Sequence, residues 1–273
     1  MSKMPTPLSD GDRASLLRAY QHLEYPSFAA RLSSVIGAPI ELTLKLLPKS
    51  WYLRLHRYAE SAIEKALDAA ISSLQQKAPV RSRDRHHQAL GILSGALGGF
   101  FGGPALLIEL PVTTTIMLRT IADIARSEGE KLDSLDARMA CMQVFALGGR
   151  SKEDDAADTG YYGIRLALEA SVVKASRFIA GQGMSNRAGA PALVSLIGNI
   201  SQRFGVVLSE KAAAELVPVV GTIGGAFINS VFIQHFQDMA RSHFTIRRLE
   251  RKYSPVLIQA EYEKIRRQHK KTL

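Results

Sequence analysis

The sequence predicts an all-α protein, a single helical domain carrying two apolar helical hairpins broken by glycine and proline. Three observations lead there. Alternating runs of Val, Ile and Thr bounded by turn dipeptides are scarce, whereas apolar residues recur at the 3.6-residue period of a helix along most of the chain. Two apolar runs, one within residues 91 to 129 and one from Leu216 to Phe236, are interrupted by Gly and Pro before either makes a plain span. With 273 residues and 46% hydrophobic composition, the chain can also bury a sizeable core.

In chain order, a first helix is expected to start at Ser9 or Asp10 and to stop before Pro26, and a second to run from Ser27 to Gly37. Pro48 suits the first turn of a long amphipathic helix through Trp51, Leu55, Ile63, Leu67, Ile71 and Leu74, with Arg54, Arg57, Glu60, Glu64 and Lys65 elsewhere on its surface. The first apolar run reads GILSGALGGFFGGPALLIELPVTTTIMLRTIADIARSEG. A transmembrane helix needs about 20 apolar residues, and Gly102, Gly103 and Pro104 intervene sooner. A hairpin is expected, with Ala89 to Phe101 going one way, Pro104 onward returning and a kink at Pro111. Gly91, Gly95, Gly99 and Gly103 repeat the small-xxx-small spacing that lets helix backbones approach closely, in membranes above all.

Amphipathic helices then follow from about Asp133 to Leu147, stopped by Gly148 and Gly149, and from about Thr159 to Ala180, stopped by Gly181. Gly181 to Pro191 is the most loop-like internal stretch. In the second apolar run Pro218, Gly221, Gly225 and Asn229 fall on one helical stripe, a second small-residue face ending in a polar contact. The two glycine faces suit either a dense soluble core or a membrane-inserted hairpin pair, and the second is favoured. After Pro255 a helix with a basic end closes the chain.

Charge is distributed unevenly. Residues 1 to 88 carry 13 Lys/Arg against 8 Asp/Glu, residues 89 to 240 carry 12 against 14, and residues 241 to 273 carry 10 against 3. Basic flanks thus enclose a near-neutral apolar middle. Lys77, Arg81, Arg83 and Arg85 precede the first apolar run, and Arg247, Arg248, Arg251 and Lys252 follow the second. Each such charge is worth about 1 kcal/mol near an anionic leaflet, so anionic membrane lipid is the expected partner. Nucleic acid is disfavoured, because the basic tail has few aromatics and no zinc-finger, RRM or KH signature accompanies it. The alternative for the basic residues is a solvated helix face. The amino terminus, MSKMPTPLSDGDR, has no apolar h-region and no lipobox-like cysteine, so the cytoplasmic side of the membrane is the expected location.

Candidate polar chemistry is sparse. At about 100° per residue, Glu109, Thr113, Thr120, Asp123 and Ser127 fall within about 40° of the Glu109 direction on the helix after Pro104, with Arg119 and Arg126 in pairing range of Asp123. Glu109, Thr113, Arg119, Thr120 and Asp123, joined by Asp154 and Asp155, make a candidate polar pocket; the alternative is that they lock neighbouring helices together. Asp154, Asp155 and Asp158 form a DDxxD pattern, but no second acidic cluster accompanies it, and an acidic first turn opposing the helix dipole is the favoured reading. His235, Asp238, Met239 and His243 share a helix without HExxH or a third strong ligand, so no metal is expected. Cys141, the single cysteine, reads as a small core residue. With no GxSxG, GxxxxGK[ST] or strand-linked GxGxxG, nucleotide hydrolysis and serine-hydrolase chemistry lack support, and no cofactor is expected.

GALGGFFGGPALLIELPVTTTIMLRTIADIARSEGE, CMQVFALGG, DDAADTGYYGIRLAL and VPVVGTIGGAFINSVFIQHFQDMARSHFTIRRLERKY closely resemble the EcsC protein family of bacteria. The resemblance covers roughly residues 50 to 255. It divides the chain into an amino-terminal part, 1 to 45, a family-like helical domain, 46 to 255, and a basic C-terminal helix, 256 to 273. The family pattern falls on Gly102, Gly103, Pro104, Glu109, Pro111, Arg119, Asp123, Asp154, Asp155, Tyr161, Tyr162, Pro218, Gly221, Asn229 and Arg248, and it assigns none of them a catalytic role. The family is named after a gene beside an ABC-transporter pair, which implies a place near transport or secretion. The leading expectation is therefore a non-enzymatic, membrane-associated helical protein accessory to an envelope or transport complex. The alternatives are a hydrolase or lipid-handling enzyme using the pocket at Glu109, Arg119 and Asp123, and a soluble homo-oligomeric scaffold.

Overall fold

The computed structural model describes residues 7–25, 27–75, 103–149, 160–182, 190–217 and 225–270, and within the ends of some helices it describes only the backbone. All regular structure there is helical: α1 (Asp10–Glu24), α2 (Phe28–Ile36), α3 (Ile40–Leu46), α4 (Lys49–Gln75), α5 (Gly103–Ser127), α6 (Leu135–Leu147), α7 (Tyr161–Gln182), α8 (Pro191–Glu215), α9 (Gly225–Lys252) and α10 (Pro255–Lys270).

The helix ends follow local chemistry. Ser9, Ser27 and Ser134 cap α1, α2 and α6, their hydroxyls each accepting a backbone N–H in the first turn, from Asp12, Ala30 and Ala137. Gly37 ends α2 at φ 73°, a left-handed conformation that costs glycine little. Pro191 and Pro255 stand in the first turns of α8 and α10, where a missing N–H does no harm. At Pro111 the expected kink does not end the helix, and α5 runs on for 25 residues.

Two elements lack a counterpart among the sequence expectations, α3 and α8. Helix α8 is the hub, touching α2, α3, α4, α5, α6, α7 and α9. Its buried residues, among them Leu193, Leu196, Ile200, Phe204, Val207, Leu208 and Ala212 to Ala214, lie on nearly all sides of the helix. A helix buried on several sides shows no single apolar stripe to read. By length and hydropathy α8 is the one helix among the described residues able to cross a membrane, yet its place in the bundle is that of a core helix.

A cluster of aromatic rings, most of them packed edge to face, joins α2, α6, α8 and α9. Phe204 lies 5.3 Å from Phe145, 6.2 Å from Phe232 and 5.6 Å from Phe236, and Phe28 lies 5.7 Å from Phe232. Gly148 and Gly149 do more here than stop α6. A Cβ on Gly149 would fall on the carbonyl oxygen of Arg203, and one on Gly148 would come within 2.6 Å of the Phe236 ring. Only glycine lets the end of α6 approach α8 and α9 this closely.

Candidate functional site: a buried polar network behind an ionic cleft

Helix α9 carries His243, Arg247, Glu250 and Arg251 at i, i+4, i+7 and i+8, one stripe of its surface. Helix α7 meets it with Tyr161, Tyr162 and Arg165. The innermost contact joins the Tyr161 hydroxyl to Nδ1 of His243 at 2.9 Å, both residues being enclosed. Nε2 of His243 has no hydrogen-bond partner among the described residues. Burial holds the His243 ring well below its ordinary pKa and pushes the Tyr161 hydroxyl up to about 12, so near neutral pH this pair carries no charge.

One layer out, Arg165 clasps Glu250 with two parallel bonds of 2.8 and 2.9 Å, the bidentate geometry that makes an ion pair rigid. The Tyr162 hydroxyl donates to the same carboxylate at 3.1 Å, and the Arg165 guanidinium lies about 6 Å from the centres of both tyrosine rings. Glu24 of α1 closes the other side, its Oε1 accepting the Tyr161 backbone N–H at 2.9 Å and the Tyr262 hydroxyl at 2.8 Å. A carboxylate from α1 thus caps the start of α7 and holds α10 as well.

The outer wall is an open cleft of about 750 Å³ lined by Glu130, Lys131, Asp133, Asp136, Arg247, Glu250 and Arg251 among others. Glu130 is shared by two guanidiniums, accepting from Arg247 at 2.8 Å and also from Arg251. Burial raises its pKa, but the bonds and charge of the two arginines more than offset that, and the carboxyl ends below its ordinary value. Arg247 also donates to Asp136 at 2.8 Å. Next to this group Arg248 donates to Glu128 at 2.7 Å, and Lys252 donates to Asp12 at 2.7 Å. The four basic residues of α9 expected as lipid contacts therefore all bond to carboxylates of this chain. What the arrangement does chemically is join α1, α7, α9 and the α5–α6 turn with directional ionic bonds.

The other candidate residues are dispersed. Thr113 is buried, and the Thr120 hydroxyl donates to the Ile116 carbonyl at 3.2 Å. Arg119 is exposed, and Asp123 accepts from Arg126 at 2.7 Å near the surface. Gly103 and Pro104 open α5, and Gly225 opens α9. Asn229 is buried and accepts from Lys211 Nζ at 3.1 Å, with Glu215 3.9 Å from that ammonium and the Phe232 ring 5.0 Å away. The side chain of Glu109, and Gly91, Gly95, Gly99, Lys77, Arg81, Arg83, Arg85, Asp154, Asp155, Pro218 and Gly221, lie outside the described residues. His235 donates its Nε2–H to the Gly148 carbonyl at 2.9 Å.

Sequence reasoning misses Tyr161, Arg165, His243 and Glu250 as a unit. Their helical spacings, i to i+4 on one helix and i to i+7 on another, are visible, but nothing in the sequence pairs those two helices.

Neither the curated proteins nor the solved structures contain a match to this chain. The model of the EcsC protein family matches residues 22–249, from the end of α1 to the last turn of α9, and takes in Tyr161, Tyr162, Arg165 and His243 while ending one residue before Glu250. The chain belongs to the EcsC protein family.

Proposed function

We propose that this protein is a non-catalytic, membrane-associated helical protein, held at the cytoplasmic face of the bilayer and serving an envelope or transport complex. The observation that carries the reading is the anchorage of α5. From Leu110 onward this helix is set in the core through Leu110, Met117, Leu118, Ile121 and Ala125, while its start at Gly103 is continuous in sequence with the glycine-laddered apolar run Gly91, Gly95, Gly99. The bundle therefore acts as a rigid holder for a small-residue apolar segment of the kind favoured in lipid. The basic residues Lys77, Arg81, Arg83 and Arg85 stand just before that run in sequence, where they suit an anionic leaflet.

The mode is peripheral or hairpin-like. The apolar helix α8 packs against seven other helices and is half buried along its apolar stretch, which gives it a role in the bundle without a bilayer. The cleft residues support a non-catalytic reading, because Glu130, Arg247 and Glu250 are each held by fixed partners.

Flotation of the purified protein with vesicles of neutral and of anionic lipid, at low and high salt, tests the reading. Salt-resistant flotation is expected, since apolar insertion is not screened while charge attraction is. A protein that stays at the bottom of the gradient with every vesicle ends the proposal.

A further inference from the structure

We propose that the corner between α3 and α4 is a lipid-docking surface that enters the headgroup region of an anionic bilayer. This rests on the membrane-association reading above and names a surface separate from the glycine-laddered run.

Three leucines at this corner face outward. Leu42 is 58% exposed, Leu46 78% and Leu53 65%. Leu42 and Leu46 are i, i+4 neighbours on α3, and Leu53 follows one turn into α4. They are not on a loose segment. Ile40, Leu47 and Leu55, interleaved with them, are buried, and the Tyr52 hydroxyl donates to the Leu44 carbonyl at 2.9 Å, tying α4 back onto α3. The fold therefore holds the three apolar side chains out on a fixed support, which is the preorganisation that makes insertion inexpensive in entropy.

Charge identifies the occupant. Lys45, Lys49, Arg54 and Arg57 are exposed around the leucines and make no ion pair with the described residues. On α4, Lys49 and Arg57 flank Leu53 at i−4 and i+4. The acids nearby are Glu41, which the Ser33 hydroxyl contacts at 3.3 Å, and Glu60, two turns beyond Leu53. The contrast with α9 is direct: Arg247, Arg248, Arg251 and Lys252 are matched to carboxylates of the chain, whereas the cations of the corner are left for something else. Exposed leucines ringed by long basic side chains fit a surface that is apolar inside and anionic at its rim. A bilayer leaflet has that order, and lysine and arginine stems can lie along it with their charges at headgroup depth. Trp51, in the first turn of α4 at the same corner, is half-buried and packs against the core on the side of the helix away from Leu53.

Trp51 is the only tryptophan of the chain, so its fluorescence reports on this corner without a label. The full-length protein is mixed with vesicles of phosphatidylcholine alone or of phosphatidylcholine with phosphatidylserine, prepared with and without brominated acyl chains, and followed by flotation and Trp51 quenching. Quenching on the anionic vesicles is expected. Leu46→Glu should weaken partition by about tenfold or more. Lys45→Glu combined with Lys49→Glu should do the same on anionic vesicles only, at about fivefold or more per charge. All these positions are exposed, and circular dichroism should show unchanged helix content. Flotation with Trp51 unquenched and Leu46→Glu unaffected would overturn this proposal and leave membrane association standing. Absence of flotation by the unmodified chain overturns both. A solution dimer that Leu46→Glu dissociates would assign the face to a second copy and overturn it too.

Discussion

The Tyr161 hydroxyl on α7 lies 2.9 Å from Nδ1 of His243 on α9, and both side chains are out of reach of water. The bond joins two helices far apart in sequence, and Nε2 of the same ring has no partner among the described residues. Tyr161→Phe would leave both ring nitrogens unsatisfied. A loss of about 1–3 kcal/mol is expected, measured as a shift of the urea midpoint with the slope unchanged.

Arg165 and Glu250 should behave as a unit. Glu250→Ala strands a half-buried guanidinium, and Arg165→Ala strands an enclosed carboxylate, so each single change should cost about 3–5 kcal/mol. The paired replacement Arg165→Met with Glu250→Leu should cost clearly less than the two singles together. A double-mutant cycle that gives simple additivity would contradict this.

Acid sensitivity follows from three poorly solvated groups. Burial holds His235 down at about 4 and His243 well below 6.5, while desolvation pushes Glu210 up to about 7 against the hydrogen bond from the Ala29 N–H. Between about pH 4.5 and 6.5 the unfolded chain binds two protons at the histidines that the native state refuses. In the same window the native state keeps one proton on Glu210 that the unfolded chain has released. These groups together leave one extra proton on the unfolded state, so stability should fall by about 1.4 kcal/mol per pH unit as pH drops through this window. Glu210→Gln removes the opposing contribution and should steepen the fall, whereas His243→Phe should flatten it. Chemical denaturation at closely spaced pH values reads both slopes.

Glycines at two ends of the same packing problem should respond oppositely. Gly149→Ala sets a methyl group on the Arg203 carbonyl and should destabilise by about 2 kcal/mol or more. Gly198, inside α8, has open space where a Cβ would go, and Gly198→Ala should stabilise by about 0.5–1 kcal/mol through helix propensity alone. Thermal melts of the two variants distinguish them directly.

The basic end of α9 should matter to the fold more than to lipid. Reversing Arg247 places a carboxylate against Glu130 and Asp136, so Arg247→Glu should lower the melting temperature by several degrees. Flotation at a temperature where the variant is still folded should be little changed. A large loss of lipid binding without a loss of stability would restore α9 as a membrane contact.

Much of the backbone is legible in the local sequence. Ser9 and Ser27 as caps, Gly37 and Gly148 as stops, and Pro48 and Pro255 beside helix starts all act within a turn or two of chain, and α1, α2, α4, α6, α7 and α10 fall close to where those signals put them. Helix α8 is not legible because its buried residues are spread around the helix instead of along one stripe, and α3 is not because seven residues give little periodicity. The site is legible only in fragments. The Tyr161, Tyr162 pair stands in a family motif, and Arg248 with its basic neighbours reads as a free cluster, since a sequence lists charges without their partners.

By itself the sequence determined the helical class, the helix ends and the family, because caps, glycine stops, apolar periodicity and long motifs are properties of neighbouring residues. Tertiary structure decided which charges are neutralised and which are left facing outward. Glu24, Asp12 and Glu130 reach their partners Tyr262, Lys252 and Arg247 across more than a hundred positions of chain. Coulomb attraction and hydrogen bonding act through space over a few ångströms, so only the packing of α1, α5, α7, α9 and α10 could bring those groups within range.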